Sequence, residues 1–355
     1  MTALPSPVEG DGGVVVGLDN GGTSNNATVL DGAGHFLVDR LVELPSRVLD
    51  GPAAALDALE LALDHVLARQ ALSRSEVRAV GLGTPGPASA DGVISSKGST
   101  NFPLPEWRGF DVRTALEDRL GIPVVYSNDG NAAALYAHSV HFGPAARDRS
   151  SVAAVVGTGL GGGIVASGRI MRGAAGMAGE LGHVQIPLAG LLAQGQPVPR
   201  CGCGLLGDAE SVASLTGIER NLLPYWLSRY PDHPLSLLGS ARDAARAVRS
   251  HAEAGDELAL EVFRQQAMAL GRLFTIVSNV LDPDAYFVGG GVVETTPAFR
   301  DWFLGQVREH TGLRTEQAAA AEFALVPDRD MAGARGAAIA AAAALSPAQA
   351  ADPPR

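Results

Sequence analysis

Val14-Val15-Val16-Gly17-Leu18-Asp19-Asn20-Gly21-Gly22-Thr23 and Val152-Ala153-Ala154-Val155-Val156-Gly157-Thr158-Gly159-Leu160-Gly161-Gly162-Gly163 read as one unit written twice. Each is an apolar strand running into a glycine turn. Each is followed by a second apolar run, Ala27-Thr28-Val29-Leu30 in the first case and Ile164-Val165-Ala166 in the second. Two apolar runs around a Gly-rich bend predict a β-hairpin. Glycine lets backbone N–H groups approach an anion with no Cβ in the way, and successive N–H groups in a turn form an anion-binding concavity. Two such turns are suited to grip one polyphosphate from two sides. The second has five glycines in residues 157–163, a composition that destabilises the chain unless the exposed backbone is used. In the first, Thr23 adds a hydroxyl donor, and Asp19 suits a hydrated Mg²⁺, which prefers carboxylate and water oxygens. An ordinary hairpin turn is the alternative for each.

A third glycine run, Gly289-Gly290-Gly291, follows the apolar strand Ala285-Tyr286-Phe287-Val288. Ligands of α/β folds bind beyond the carboxyl ends of strands. None of these turns is a Walker A loop, because no Gly-Lys-Ser/Thr follows, and none has the full dinucleotide-binding setting. Elsewhere strands and helices alternate. Helical periodicity covers about 52–71 and 112–120, strands cover 77–82 and 124–126, and the region 210–281 is mainly helical. A late strand at 323–326 precedes an Ala-rich helix over 331–345. The pattern predicts an α/β class, and 355 residues favour two domains over one.

A formal net charge of −11, with no run of Lys and Arg, argues against nucleic acid and anionic membrane as partners. Cys201 and Cys203 are too close in sequence for an unstrained disulfide and read as metal ligands or reduced thiols of a cytoplasmic protein. The first residues lack a signal-peptide pattern. The apolar stretch 337–345 is too short to span a bilayer.

Asp129, in Asn128-Asp129-Gly130-Asn131 at the end of a buried strand, has two readings. It is a general base that accepts a hydroxyl proton during phosphoryl transfer, or it caps the helix that follows. Glu180, His183 and Glu210 suit a ligand rich in hydroxyls, since carboxylates accept from neighbouring hydroxyls; solvated acids and a structural His are the alternative. His183, Cys201 and Cys203, with Asp208 as a candidate fourth ligand, suit a zinc site. A metal-free loop is an equal alternative.

Asp19-Asn20-Gly21-Gly22-Thr23, Asn128-Asp129-Gly130-Asn131, the turn 157–163, Gly179-Glu180-Leu181-Gly182-His183 and Cys201-Gly202-Cys203-Gly204 occur in this order. The set resembles the ROK family (repressors, open reading frames and kinases), in particular its bacterial glucokinases, from about Val14 to Leu345. The resemblance implies an actin-like (ribonuclease H-like) two-domain sugar kinase fold with duplicated β-hairpins and glycine turns. The expected domains are 12–129 plus 330–346 and 130–329, with flexible tails at 1–11 and 347–355. It also implies ATP and Mg²⁺, with transfer to the 6-hydroxyl of a hexose, glucose by default.

In that frame Asp129 matches the catalytic base. Asn128, Glu180, His183 and Glu210 match sugar ligands, and Asn101 falls where the family has a sugar-side loop. Asp19, Gly21, Gly22 and Thr23, with Thr158, Gly159 and Gly161, match the two phosphate motifs, and Gly290 and Gly291 the adenosine region. Relatives are commonly dimers or tetramers. Three departures stand out. Asp208 replaces a third knuckle Cys, which leaves Zn²⁺ open. The loop before Cys201 is long and Pro-rich, near the sugar ligands. Ser24-Asn25-Asn26 follows Thr23 where a Lys is common, so either a weaker phosphate contact or one made by Asn amides in its place is expected. Alternative substrates are an amino sugar (glucosamine, kanosamine) or an N-acylhexosamine, and polyphosphate is an alternative donor. A non-catalytic sugar-sensing regulator is the rival function. A repressor is disfavoured, because the first strand starts too early to leave room for a helix-turn-helix.

Overall fold

The computed structural model describes residues 13–97 and 101–345, apart from the side chain of Arg329. The tails expected at 1–11 and 347–355 lie outside the described residues. The chain starts with β1 (Val14–Asn20), β2 (Ser24–Leu30), β3 (Glu43–Pro45), α1 (Pro52–Arg69), β4 (Val77–Thr84), α2 (Val112–Leu120), β5 (Val124–Asn128) and α3 (Asp129–Phe142). It continues through β6 (Ser151–Val156), β7 (Leu160–Ala166), β8 (Arg169–Ile170), α4 (Glu210–Ala213), α5 (Leu215–Gly217), α6 (Leu223–Arg229), α7 (Ala241–Glu253) and α8 (Glu257–Leu281). β9 (Ala285–Gly289), α9 (Pro297–Glu309), α10 (Thr315–Ala320), β10 (Glu322–Leu325) and α11 (Arg329–Leu345) complete it.

The duplication reaches further than the hairpins. One sheet has strand order β3-β2-β1-β4-β5, and the other, read from its β8 edge, β8-β7-β6-β9-β10. Each places three parallel strands side by side: β1, β4 and β5 in one, β6, β9 and β10 in the other. Parallel neighbours align their carboxyl ends, so each sheet gathers its turns at one edge.

By contact the chain divides into two compact units. One comprises residues up to Ser150, 163–179 and from Val326 onward; the other comprises 151–162 and 180–325. The boundary expected at 129/130 therefore falls later. The physical reason is α3, which packs on α11 in the first unit: a Cβ on Gly336 would run into the backbone of Ala132.

In the first unit α11 lies against β1 and β4 at backbone distance. A Cβ on Gly17 would strike the Ala334 carbonyl, and one on Gly81 the Ala337 carbonyl. The alanines of α11 are thus fitted to glycines in the sheet. Ala338, Ala341 and Ala342 are buried with Val15, Leu30 and Ala79. On the sheet's other face α1 buries Leu59, Leu63 and Val66 with Val16, Leu18 and Val80. In the second unit α8 is the central helix, with Leu270, Leu273 and Phe274 fully buried and Phe274 5.1 Å from the ring of Tyr286 on β9.

The glycines of the second turn divide into two groups. β7 begins at Leu160, so Gly161, Gly162 and Gly163 belong to a strand and the turn is only Gly157-Thr158-Gly159. Gly162 is small because a Cβ there would meet Ala153 O and Leu181, and Gly163 because it lies against Asn131 and Ala134 of α3. Packing sets these two residues, and the part of the expectation that assigned them to a phosphate turn is corrected.

Overpacking a well-filled interior costs about 1–3 kcal/mol. Gly81→Ala is therefore expected to lower the thermal unfolding midpoint by several degrees, read by circular dichroism. An unchanged midpoint would mean that α11 is not held at backbone distance.

Candidate functional site

In the first unit the candidate residues collect at the carboxyl ends of β1, β4 and β5. Asp19 sits opposite Gly83, and Thr84 opposite Asn128. Asn128 is the N-cap of α3: its side-chain oxygen accepts from the N–H of Gly130 at 2.9 Å and of Asn131 at 3.4 Å. The capping role that competed for Asp129 thus belongs to its neighbour. Asp129 opens the helix with one carboxylate oxygen 2.7 Å from the Gly130 N–H. Asp19 is recessed beneath α11, where a Cβ on Gly333 would collide with its carboxylate. Burial, and then the charge of Asp129, push the Asp19 carboxyl up to about 7.

The first glycine turn is closed by the Gly21 N–H donating to Ser24 O at 2.9 Å, and Thr23 is exposed at its tip. Gly22 has no Cβ to crowd Asn101, whose Oδ1 would lie 3.4 Å from one. The loop carrying Asn101 is anchored by Phe102 and Trp107, both buried with ring centroids 4.6 Å apart. The Trp107 Nε1–H donates to Val48 O at 2.9 Å. The expectation that Asn amides replace a lysine at the phosphates fails for Asn25. Its side chain is fully buried, and its Oδ1 accepts from Asn20 Nδ2 at 2.6 Å, so it braces the hairpin from beneath.

In the second unit Glu180, His183 and Glu210 come together with the cysteine knuckle. Burial raises the Glu180 carboxyl above its ordinary range, opposed by the nearby His183 and helped by Glu210. The knuckle gathers the four expected ligands. Donor atoms of His183, Cys201, Cys203 and Asp208 all lie within 4.8 Å of one another. His183 Nδ1 is 3.3 Å from Asp208 Oδ2 and 3.7 Å from Cys201 Sγ, and Cys203 Sγ is 3.8 Å from Asp208 Oδ2. Tetrahedral zinc at its usual bond lengths spaces such donors about 3.3–3.8 Å apart. The donor set and its spacing fit that ion.

Asp208 is fully buried and is fixed from behind, its Oδ1 accepting from the Ser211 N–H at 2.9 Å. Against the effect of burial, hydrogen bonds from His183, Cys201 and Ser211 hold it below the ordinary carboxylate range. The Asp208 carboxylate in turn pushes His183 up to about 9. With Nδ1 turned to the knuckle, His183 presents Nε2 on its other side.

Glu210 has a role that the sequence did not suggest. Its Oε2 accepts from the Leu160 N–H at 2.9 Å and its Oε1 from Cys201 Sγ at 3.4 Å. It therefore joins the second glycine turn to the knuckle. A Cβ on Gly159 would come 2.7 Å from Glu210 Oε2, so the carboxylate would have to shift to admit one. The partners are fifty positions apart in the chain, and nothing local to either marks the pairing. The turn is also held by Thr216, whose N–H and hydroxyl donate to Thr158 O at 3.1 and 2.8 Å. Gly161 is exposed on β7 with open space around it. Gly290 has φ 82° and lies against the backbone of Val156, at the end of the neighbouring β6. Gly291 follows it with open space where a Cβ would be. The long loop before Cys201 is pinned to α8, with Gln265 Nε2 donating to Leu191 O at 2.9 Å and Arg272 to Ala189 O at 2.8 Å.

A ROK family profile matches residues 15–344. The chain belongs to the ROK family. Among its relatives, a glucokinase from Halalkalibacterium halodurans is 35% identical over 298 residues, covering 83% of this chain and 84% of that one. An N-acetyl-D-glucosamine kinase from Pectobacterium atrosepticum is 33% identical over 285 residues, 78% of this chain and 83% of the other. A solved ROK glucokinase from Streptomyces griseus, in complex with glucose and AMPPNP, matches with a TM-score of 0.68 at 27% identity, covering 93% of this chain and 99% of that one. The two-sheet architecture is the actin-like fold of these ROK sugar kinases, as the sequence led one to expect. Among the described residues, no helix is long and apolar enough to cross a membrane.

A hydrogen bond to a carboxylate contributes about 1.5–3 kcal/mol. Glu210→Ala is therefore expected to speed deuterium exchange at the Leu160 amide by roughly 10-fold or more. Unchanged protection would show that another group holds the turn.

Proposed function

We propose that this ROK chain transfers the γ-phosphoryl group of ATP to the 6-hydroxyl of a hexose, with glucose as the default acceptor. It is a phosphotransferase acting on a sugar hydroxyl. One observation carries the residue assignment: Asp129 stands beside Asp19 at the carboxyl edge of the first sheet, while Asn128 supplies the helix cap. The helix does not need Asp129 as its cap, which favours the general-base reading.

In this mechanism Asp129 accepts the 6-hydroxyl proton as the oxygen bonds to phosphorus, and ADP leaves. The positioned base contributes about 10²–10⁴-fold. Glu180, His183 Nε2, Glu210, Asn101 and the amide nitrogen of Asn128 bind the ring hydroxyls. Such groups discriminate against analogues that leave them unpaired. The turns at Gly21-Gly22-Thr23 and Thr158-Gly159 orient the phosphates through backbone N–H groups, and Gly290 and Gly291 leave room for the nucleoside. Mg²⁺ suits Asp19, whose carboxylate stands beside that of Asp129; when bound it would neutralise phosphate charge. Zn²⁺ suits His183, Cys201, Cys203 and Asp208, where it would fix the knuckle and the His183 ring.

The 33% identity to an N-acetyl-D-glucosamine kinase favours a second reading, an N-acylated or free amino sugar as acceptor. A panel of hexoses, glucosamine, kanosamine and N-acylhexosamines with ATP, read by ADP release, separates the two. The absence of sugar-dependent ADP release across the panel would sink both and favour a sugar-sensing regulator.

Asp129→Asn is expected to lower kcat by at least ~100-fold while sugar affinity is largely kept. Near-normal turnover would remove Asp129 from the role of base. Protein purified without chelator is expected to carry zinc by elemental mass spectrometry, and Asp208→Ala to lose it together with thermal stability. Metal-free protein with an unchanged melting curve would contradict the knuckle assignment.

A further inference from the structure

α7 carries none of the glycine turns or knuckle residues, yet its polar stripe reaches both glycine turns of the second unit. Arg242 donates from Nη2 to Thr158 Oγ1 at 3.4 Å. Arg249 donates to Gly291 O. Glu253 accepts from the hydroxyl of Thr295 and, at 3.3 Å, from the N–H of Thr296. Positions 242, 249 and 253 recur at seven and four residues, so they share one face of the helix. That face spans the ends of β6 and β9, which are parallel neighbours, Val155 standing opposite Gly289. α7 is a strut across the two turns.

Arg242 is the member placed to act on a ligand. Glu219 fixes its guanidinium with a 2.8 Å ion pair to Nη1, leaving donors beyond those given to Glu219 and Thr158. The turn beneath it is exposed at Gly157 and Thr158. Its bonded groups are accounted for: Thr158 O by Thr216, the Gly157 N–H by Gly159 O, and the Leu160 N–H by Glu210. The N–H groups of Thr158 and Gly159 have no acceptor among the hydrogen bonds described. The Thr158 hydroxyl and the Arg242 guanidinium thus meet at the turn that carries these two N–H groups. That set matches a phosphate group, which takes guanidinium donors in pairs and backbone N–H donors singly. In a chain of net charge −11 a cation so placed has an electrostatic consequence: it offsets the repulsion that a polyanion meets from the surrounding carboxylates.

We propose that Arg242 binds the terminal phosphates of the nucleotide over the Thr158-Gly159 turn, supplying in the second unit a cation that the first glycine turn lacks after Thr23. The inference rests on the kinase reading above. It assigns Arg242 to phosphate recognition and leaves the nucleoside to other residues.

Nucleotide binding measured by calorimetry separates the possibilities, with ADP and adenosine as probes on the full chain. Wild-type protein that binds no ADP would overturn the kinase reading itself. Given wild-type binding, Arg242→Met is expected to weaken ADP roughly 10-fold or more, the loss of a charge-assisted hydrogen bond, and to leave adenosine unchanged. Arg242→Lys is expected to recover part of the ADP affinity. Glu219→Gln, which removes the partner and keeps the guanidinium, is expected to retain ADP binding with a smaller loss than Arg242→Met. Equal ADP affinity in wild type and Arg242→Met would overturn the proposal. So would a parallel loss of adenosine and ADP, since that is the signature of a residue that only supports the turn.

Discussion

Backbone-to-backbone contact between α11 and the first sheet is the constraint on which the rest of this structure depends. Gly17 and Gly81 let the helix down onto β1 and β4, and Gly336 lets α3 down onto the helix. The same helix passes Gly333 over the carboxylate of Asp19. A single Ala-rich element thereby sets the depth of Asp19 and the placement of α3, whose first residue is Asp129. Interiors are packed too densely to absorb a methyl group at such points without shifting their neighbours. The spacing of two acidic side chains is in this way a consequence of four glycines.

The two units handle charge differently. In the first, two carboxylates lie close enough for one to raise the pKa of the other, an arrangement that invites a cation or a proton. In the second, acidic groups are matched internally: Asp208 by His183 and Ser211, Glu210 by a backbone N–H and a thiol, Glu219 by Arg242.

Much of this was legible in the sequence because its signals are local. Strands ending in glycine turns, Asn128-Asp129 at a strand end and the knuckle residues all announce themselves over a few positions. The duplication was only half visible. β3 and β8 have three and two residues and carry no periodicity, so the shared strand order emerges only from pairing. Glycine misled at 162 and 163, where composition suggests a turn but contacts with Leu181 and α3 demand a small residue in a strand. Asn25 misled for a related reason: an amide beside a glycine turn looks available, yet strand alternation turns it inward to Asn20. Glu210 and Arg242 act across fifty and eighty-four positions, and neither is flagged by its neighbours in sequence.

The most direct test of the central claim is the chemical identity of the product. The chain is incubated with ATP, Mg²⁺ and the preferred hexose, and the product is examined by phosphorus–proton correlation NMR. The expected result is a phosphate coupled to the protons on C6, absent when the 6-deoxy sugar is supplied. Phosphate on the anomeric oxygen, or equal ADP release with the 6-deoxy sugar, would contradict an Asp129 that activates the 6-hydroxyl.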